Sequence, residues 1–213
     1  MLRPASPARS YLIAYLVLVV LTLIPQLILS QDTLFLTLNK LNAPFFDNFF
    51  YWITFFGDGL TFALLVIGLL FYRFRYALLG LIIFLVTSGL AQFLKRMIFS
   101  DQLRPYGKLG ASYDIYLPDG VTPLLNHSFP SGHTTTAFAM AAFLVLILSR
   151  RIFWPSLLVL AFLAGYSRIY LTHHFPIDVW TGSIIGTAGA YLLFWWLDEK
   201  FMGIFGDKSL RSK

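Results

Sequence analysis

The sequence predicts an all-α membrane protein, a bundle of six transmembrane helices with both termini in the cytoplasm, formed by a single domain over residues 1–213. Its composition is 58% hydrophobic and only 12% charged, whereas soluble domains carry about 25% charged residues. Apolar runs long enough to cross a bilayer also recur along the chain, separated by polar segments. The absence of cysteine excludes disulfides and thiol catalysis.

Apolar segments define the six predicted spans: residues 11–30, 46–72, 76–94, 133–149, 152–170 and 176–197. The first run could alternatively be a cleaved signal peptide, but it is long for one and no small-x-small cleavage site follows it. In the second span, Leu60–Tyr72 is too short alone, so Gly57, Asp58 and Gly59 are expected inside the helix, in its outer part. An acid at that depth is a functional candidate; the alternative is a helix end at the interface.

The segments between the spans differ in character. Asp32 to Asn42 is mixed and is expected near the surface, and Lys95 to Pro130 is a long polar segment. An aromatic repeat at helical spacing leads into the second span and is typical of an interfacial belt; its members are Phe45, Phe49, Trp52 and Phe56.

Lysine and arginine residues indicate the orientation. An even number of spans puts both termini on one side, which then carries ten of the sixteen: Arg3, Arg9, Arg73, Arg75, Arg150, Arg151, Lys200, Lys208, Arg211 and Lys213. Because positive residues concentrate in cytoplasmic loops, this side is predicted to be cytoplasmic. The other six need a different explanation: Lys40, Lys95, Arg96, Arg104, Lys108 and Arg168. No basic soluble domain is evident, so no nucleic-acid partner is predicted.

A polar loop gives way to the fourth span at Pro130, Ser131, Gly132 and His133. Proline suits the first turn of a helix, and the small residues after it leave backbone N–H groups open to an anion. His133 adds a group that can give or take a proton near neutral pH. The stretch therefore predicts an anion site beside a proton donor.

A second polar cluster joins the fifth and sixth spans at Ser167, Arg168, His174 and Asp178. A carboxylate near a histidine can hold Nδ1–H and leave Nε2 free to attack. Pro176 intervenes, so i,i+4 helical geometry is not assured, and Asp178 could instead merely favour the helix N-terminus.

The predicted topology brings these clusters, together with Lys95, Arg96 and Arg104, to the same non-cytoplasmic face. Two histidines, an anion cradle and several cations suit phosphoryl transfer through a phosphohistidine, although the residues alone do not rank the two histidines. Fixed positive charge makes a metal unnecessary. The alternative metal ligands, Asp101, Asp114 and Asp119, are irregularly spaced in a polar loop.

These motifs resemble those of the type 2 phosphatidic acid phosphatase superfamily, which also includes glucose-6-phosphatase and vanadium haloperoxidases. Its P-S-G-H motif stands at Pro130–His133, and its S-R-x5-H-x3-D motif stands at Ser167–Asp178 with the family spacing. The first family motif, K-x6-R-P, is incomplete: Arg104 and Pro105 match, but Met97 occupies the lysine position. Either Lys95 serves after a two-residue insertion, which we favour, or Arg96 replaces the lysine.

The resemblance implies a role for each site residue. His174 would be the nucleophile, oriented by Asp178, and His133 the general acid and then the base for water. The phosphate-binding set would be Lys95, Arg104, Ser131, Gly132 and Arg168. No metal or other cofactor is implied. His127, His173 and Arg96 are expected to be structural or auxiliary, and Asn126 and Tyr106 are given no role.

The sequence therefore predicts a lipid phosphatase in the bacterial inner membrane, acting on the outer face. Candidate substrates are phosphatidylglycerol phosphate, phosphatidic acid, undecaprenyl diphosphate and lipid A 1-phosphate. The alternatives are a lipid phosphotransferase with the same intermediate, and a non-catalytic lipid-binding or transport protein. The sequence does not indicate the oligomeric state.

Overall fold

A computed structural model describes residues 6–148 and 150–210, and these residues form helices and loops without a β-strand. The α-helices are α1 (Ser6–Ile28), α2 (Gln31–Asn39), α3 (Pro44–Ile53), α4 (Gly59–Leu70), α5 (Phe74–Phe93), α6 (Pro105–Leu109), α7 (Gly132–Leu148), α8 (Phe153–Tyr170) and α9 (Pro176–Phe205). A 3₁₀ turn, Thr54–Gly57, follows α3, and a π-helical turn, Leu94–Ile98, continues α5. The predicted all-α class is confirmed.

The helices are those of a multi-pass membrane protein. By length and composition, Ser6–Ile28, Phe74–Ile98 and Pro176–Phe205 can each cross a bilayer, and the bent pair Pro44–Gly57 and Gly59–Leu70 counts as a fourth candidate. Helix α7 is apolar but has only 17 residues. The six crossings and the orientation of the termini therefore stay predictions. The single domain over residues 1–213 also stays a prediction. Four residues named in the sequence analysis lie outside the described residues: Arg3, Ser149, Arg211 and Lys213.

The second predicted span is broken, so the expectation that Asp58 lies within a continuous helix is wrong. Asp58 has an extended backbone and is the N-cap of α4, where Oδ1 accepts a hydrogen bond from the Leu60 N–H at 2.7 Å. The two halves meet at an angle of 51°. Because the N-cap residue lies outside helical geometry while its side chain satisfies a free N–H, Asp58 both interrupts one helix and begins the next.

The core is built around α7, in which every residue from Thr134 to Phe143 is buried. Helix α9 packs along it at close range because glycine faces it. A Cβ on Gly182 would lie 2.6 Å from the Ser131 carbonyl oxygen, and one on Gly186 would collide with the Thr135 carbonyl oxygen. Small residues commonly allow such close backbone approach between membrane helices. The N-terminal ends of α7 and α9 consequently lie side by side.

At the end of the bundle away from these helix starts, charged side chains join neighbouring segments. Arg75 pairs with Asp198 at 3.3 Å, and Arg73 pairs with Asp207 at 2.8 Å. The chain after α9 also returns to the end of α4, where the Leu210 N–H donates to the Leu70 carbonyl at 2.9 Å. The end of α9 is thereby fixed to the α4–α5 turn, which leaves the other end of the bundle for the polar clusters.

Candidate active site

A buried histidine–carboxylate pair lies at the start of α9. His174 Nδ1 is 3.2 Å from Asp178 Oδ2, and each residue is only 2% exposed. Asp178 is held in turn by hydrogen bonds from the Ser128 hydroxyl and, at 2.9 Å, from the Phe175 N–H. The pair forms although His174 precedes the helix, because Asp178 in the first helical turn reaches back towards the turn before Pro176.

Arg104 defines the proton arrangement of His174. Its Nη1 lies 3.5 Å from His174 Nε2 and donates to the His173 carbonyl at 3.0 Å, while Nε donates to the Asn126 carbonyl at 2.8 Å. A guanidinium group can only donate, so a neutral His174 beside it presents the Nε2 lone pair. The proton is then on Nδ1 and faces Asp178. This is the tautomer that an attacking Nε2 requires.

Burial and the Arg104 cation together hold the pKa of His174 well below its usual range. Burial also lowers the pKa of Arg104 without making a neutral guanidine relevant near neutral pH. The free site therefore holds a neutral imidazole beside a permanent positive charge. That combination preserves a nucleophilic lone pair and supplies a partner for an anionic substrate.

Arg168, at the end of α8, extends the positive surface. It is 6% exposed, and its Nη1 donates to the Thr54 hydroxyl at 2.8 Å. Its Nη2 donates to His173 Nδ1 at 2.6 Å. Burial, followed by the charge of Arg168, lowers the pKa of His173 to about 3, so this histidine is neutral. His173 thus holds Arg168 in place by accepting a hydrogen bond.

The π-helical turn at the end of α5 determines which cation of the first motif turns inward. Lys95 is 7% exposed and interacts electrostatically with Arg104, Arg168 and Asp178, whereas Arg96 is exposed and Met97 is 70% exposed. A π turn adds a residue to a helical turn and so changes which side chains face the bundle. The extra length between Lys95 and Arg104 is accommodated there.

The start of α7 combines buried and open groups. Ser131 is fully buried: its N–H donates to the Asp178 carbonyl at 3.0 Å, and its hydroxyl oxygen accepts from Thr134 Oγ1 at 2.9 Å. Ser131 therefore connects α7 to α9. Within the described residues, the N–H groups of Gly132 and His133 donate to no backbone carbonyl and remain open at the helix start.

His133 faces Asp58 across the break in the second span. Its Nε2 lies 3.6 Å from Asp58 Oδ2, and both side chains are partly exposed. The structure thus gives each histidine of the predicted site its own carboxylate, from different helices. Sequence analysis singled out Asp58 for its depth but not for this partner.

Two neighbours had no signal in the sequence: Thr54 accepts a hydrogen bond from Arg168, and Ser128 donates one to Asp178. His173, expected to be structural or auxiliary, holds Arg168 by accepting a hydrogen bond at Nδ1. In the loop before α7, the Asn126 carbonyl accepts a hydrogen bond from Arg104, whereas the His127 side chain is exposed. Over residues 6–148 and 150–210, no three acidic or histidine side chains form a group suited to a metal ion.

The fold defines a multi-pass membrane protein, and the cluster brings histidines, carboxylates and cations together at one end of its helices. Residues 75–202 match the model of the PAP2 superfamily, and the chain belongs to that family. The predicted resemblance is confirmed. The match begins after the first two predicted spans and includes all of the family motifs named above.

Two characterised relatives show the range of the family. The undecaprenyl-diphosphatase BcrC of Bacillus subtilis is 40% identical over 67 residues, which cover 32% of this chain and 34% of that protein. A lipid A 4'-phosphatase of Porphyromonas gingivalis is 27% identical over 175 residues, covering 77% of this chain and 71% of that protein. The alignment with BcrC thus spans about a third of its length.

Two crystal structures share the fold over most of their length. LpxE of Aquifex aeolicus superposes with a TM-score of 0.67 and 31% identity, covering 76% of this chain and 93% of that one. A PAP2-type phosphatidylglycerolphosphate phosphatase from Bacillus subtilis gives a TM-score of 0.63 and 26% identity, covering 91% and 96%. The helical arrangement is therefore that of PAP2 membrane proteins.

Proposed function

We propose that the protein is a lipid phosphatase that hydrolyses a phosphate monoester or diphosphate through a phosphohistidine. The observation that carries the proposal is the arrangement around His174. Its Nδ1 is held by Asp178, while its Nε2 faces a site occupied by Arg104. A phosphate bound to this guanidinium would present its phosphorus to the Nε2 lone pair.

In this mechanism, Nε2 of His174 attacks phosphorus while His133 protonates the leaving lipid oxygen. Water then attacks the phosphohistidine and gives a proton back to His133. Arg104, Arg168 and Lys95 neutralise the phosphoryl oxygens, as do the open N–H groups at Gly132 and His133. Ser131 would support this binding by fixing the start of α7 against α9.

The substrate is proposed to be a lipid because a helix with exposed aromatic side chains leads into the turn that contacts the site. The helix before the Asp58 break exposes Phe45, Phe49 and Trp52, and Phe45 is 81% exposed. Such a surface suits the hydrocarbon region and its interface. Lateral access between helices would leave the lipid tails in the bilayer while the phosphate reaches His174. The site would then lie on the outer face of the bacterial inner membrane.

The names of the relatives refer to different lipids, so the candidate substrates are compared in one assay. Purified protein in detergent is assayed for phosphate release from phosphatidic acid, phosphatidylglycerol phosphate, undecaprenyl diphosphate and lipid A. We expect release from at least one lipid, inhibition by vanadate, which mimics five-coordinate phosphorus, and no loss in EDTA.

The matched variants for this panel are His174→Ala and His127→Asn. The first removes the proposed nucleophile and is expected to abolish turnover. The second alters an exposed histidine with φ 57°, a conformation that asparagine tolerates, and is expected to keep wild-type activity. Wild-type rates in His174→Ala would rule out the mechanism. Analysis of labelled products with an added acceptor distinguishes hydrolysis from phosphotransfer, which the same intermediate permits.

A further inference from the structure

The break in the second span brings one carboxylate to the general acid. Asp58 uses its two oxygens differently: Oδ1 accepts from the Leu60 N–H at 2.7 Å, and Oδ2 lies 3.6 Å from His133 Nε2. The first contact begins α4 and would suffice for a purely structural residue. The second contact points at the group to which the proposed mechanism assigns proton transfer.

The backbone beside Asp58 approaches the start of α7 closely. A Cβ on Gly57 would lie only 2.5 Å from the His133 carbonyl oxygen. Glycine therefore allows the 3₁₀ turn to pack directly on the residue that carries the imidazole. Thr54, in the same turn, accepts a hydrogen bond from Arg168. The turn Thr54–Gly57 with Asp58 thus contacts the predicted site at two separate points.

The other charged and titratable groups facing His133 are basic. They are Lys95 in the π-helical turn after α5, Arg104 in the loop before α6, Arg168 in α8 and His173 in the turn before α9. Positive charges oppose a proton on an imidazole, so a general acid in this position needs a compensating anion. Among the described residues, Asp58 is the one carboxylate within ion-pair distance of His133.

We propose that Asp58 is a positioning residue for His133, holding its Nε2 and stabilising its protonated form during leaving-group departure. The two histidines then use opposite nitrogens. His174 is held at Nδ1 by Asp178 and reacts at Nε2, whereas His133 is held at Nε2 by Asp58 and exchanges its proton at Nδ1. When the bond between phosphorus and the lipid oxygen breaks, the Nδ1 proton moves to that oxygen, and attacking water later returns it.

The inference rests on the proposed phosphatase function and is tested with Asp58→Asn. Asparagine is as good an N-cap as aspartate, so this variant keeps the start of α4 while removing the charge. It is compared with Asp58→Ala, which removes both, and with Asp101→Asn, which makes the same change on an exposed loop residue.

The assay compares two substrates with different leaving groups, phosphatidic acid and p-nitrophenyl phosphate. An alkoxide needs protonation as it leaves, whereas p-nitrophenolate needs little, so transfer of the phosphoryl group to His174 depends on the general acid only with the lipid. The comparison uses kcat/KM, which does not include the later attack of water that both substrates share. We expect Asp58→Asn to lower kcat/KM on phosphatidic acid by about 10- to 100-fold, part of the full effect of general acid–base catalysis. On p-nitrophenyl phosphate the loss in kcat/KM should stay below about threefold.

Three further readouts separate positioning from folding. The alkaline limb of the pH–rate profile on phosphatidic acid should move to lower pH in Asp58→Asn. Combining this variant with His133→Ala should add no further loss, because both changes remove one function. The melting temperature should fall in Asp58→Ala but not in Asp58→Asn, and Asp101→Asn should match the wild type throughout.

The outcomes are distinct. A wild-type kcat/KM on phosphatidic acid in Asp58→Asn overturns the inference while leaving the phosphatase function intact. So does an equal loss on both substrates, which would mean that Asp58 supports the whole site rather than the acid. If the wild type releases phosphate from neither substrate nor from the other lipids, the proposed function fails and the inference with it.

Discussion

At the scale of single residues, the chemistry depends on which nitrogen of each buried histidine is free. His173 and His174 are adjacent, yet an arginine faces a different nitrogen of each one: Arg168 contacts Nδ1 of His173, and Arg104 contacts Nε2 of His174. Only His174 has a carboxylate on its other nitrogen. His173 therefore orients a cation, while His174 keeps the geometry of a nucleophile.

The two candidate cations of the first motif give opposite predictions. Lys95→Ala should lower kcat/KM by about 10²- to 10³-fold, the usual effect of removing one group that stabilises transition-state charge. Arg96→Ala should change it little, since Arg96 is exposed. Steady-state phosphate release from the best lipid substrate measures both. A severe loss in Arg96→Ala with a neutral Lys95→Ala would reverse the assignment.

The buried neutral histidines also predict a pH-dependent stability. The pKa of His173 is lowered to about 3 and that of His174 well below its usual range, so both stay neutral in the fold when the unfolded chain takes up protons near pH 6.5. The unfolded state then binds more protons, and stability falls as pH decreases below 6.5. Each histidine contributes up to about 1.4 kcal/mol per pH unit.

Melting temperatures in detergent between pH 7.5 and 5 test this expectation. The wild type should lose stability as the pH falls through this window. His173→Gln keeps an acceptor for Arg168 but cannot titrate, and should show a smaller loss. An identical pH dependence in the two proteins would show that folding does not lower the pKa of His173.

Sequence order explains which site residues could be predicted. His174 and Asp178 lie close together in the chain, in a turn and the adjoining helix start, so the sequence could suggest their pairing although Pro176 left its geometry open. Asp58 and His133 come from different helices, and their contact depends on a bend in the second span. Hydropathy does not reveal this bend, because a continuous helix could also contain a polar interruption as short as Gly57, Asp58 and Gly59. The inward turn of Lys95 likewise depends on a π turn with no sequence signature.

At the scale of helices, the close contact of α7 with α9 places the two halves of the site. Gly186→Ala would force the new methyl group against the Thr135 carbonyl and the Ala139 N–H of the facing helix. Overpacking of this kind costs about 1–3 kcal/mol. We expect a lower melting temperature and, because Ser131 and Asp178 would separate, a lower kcat.

Gly203→Ala on the same helix is the matched control. A Cβ there meets no atom within 4 Å, and replacing glycine by alanine inside a helix favours folding by about 0.5–1 kcal/mol. The control should therefore raise the melting temperature slightly while leaving kcat unchanged. Equal effects of the two substitutions would argue against a tight α7–α9 contact.

The helical architecture followed from apolar run length, but helix ends did not. Helix α9 continues to Phe205, beyond the predicted end at residue 197, because Asp198 pairs with Arg75 and Lys200 lies over the Trp196 ring. Residues 31–39 form a helix where only a surface segment was expected, begun by Ser30, whose hydroxyl oxygen accepts from the Thr33 N–H. Tertiary partners and local caps, rather than hydropathy, set these boundaries.

At the scale of the whole molecule, the predicted topology can be tested with single cysteines, since the sequence contains none. Asp119→Cys lies in the exposed loop before α7, and Ile152→Cys lies in the exposed turn before α8. In intact cells, a membrane-impermeant maleimide should label the first and not the second. Permeabilised cells should label both.

The converse labelling would place the histidine cluster on the cytoplasmic face and invert the predicted orientation. Labelling of both positions in intact cells would mean that α7 does not cross the bilayer. Either result changes which leaflet supplies the substrate, whereas the internal geometry of the site would be unaffected.

The cluster of buried cations has a consequence for the end of the catalytic cycle. Lys95, Arg104 and Arg168 face the cleft with Asp58 and Asp178 as the nearby counter-charges, so the free site carries a net positive charge. The inorganic phosphate formed by hydrolysis presents the same anionic oxygens to these cations as the ester did and loses only the contact to the lipid. We therefore expect product release to be slow, and external phosphate to slow the enzyme by occupying the same cleft.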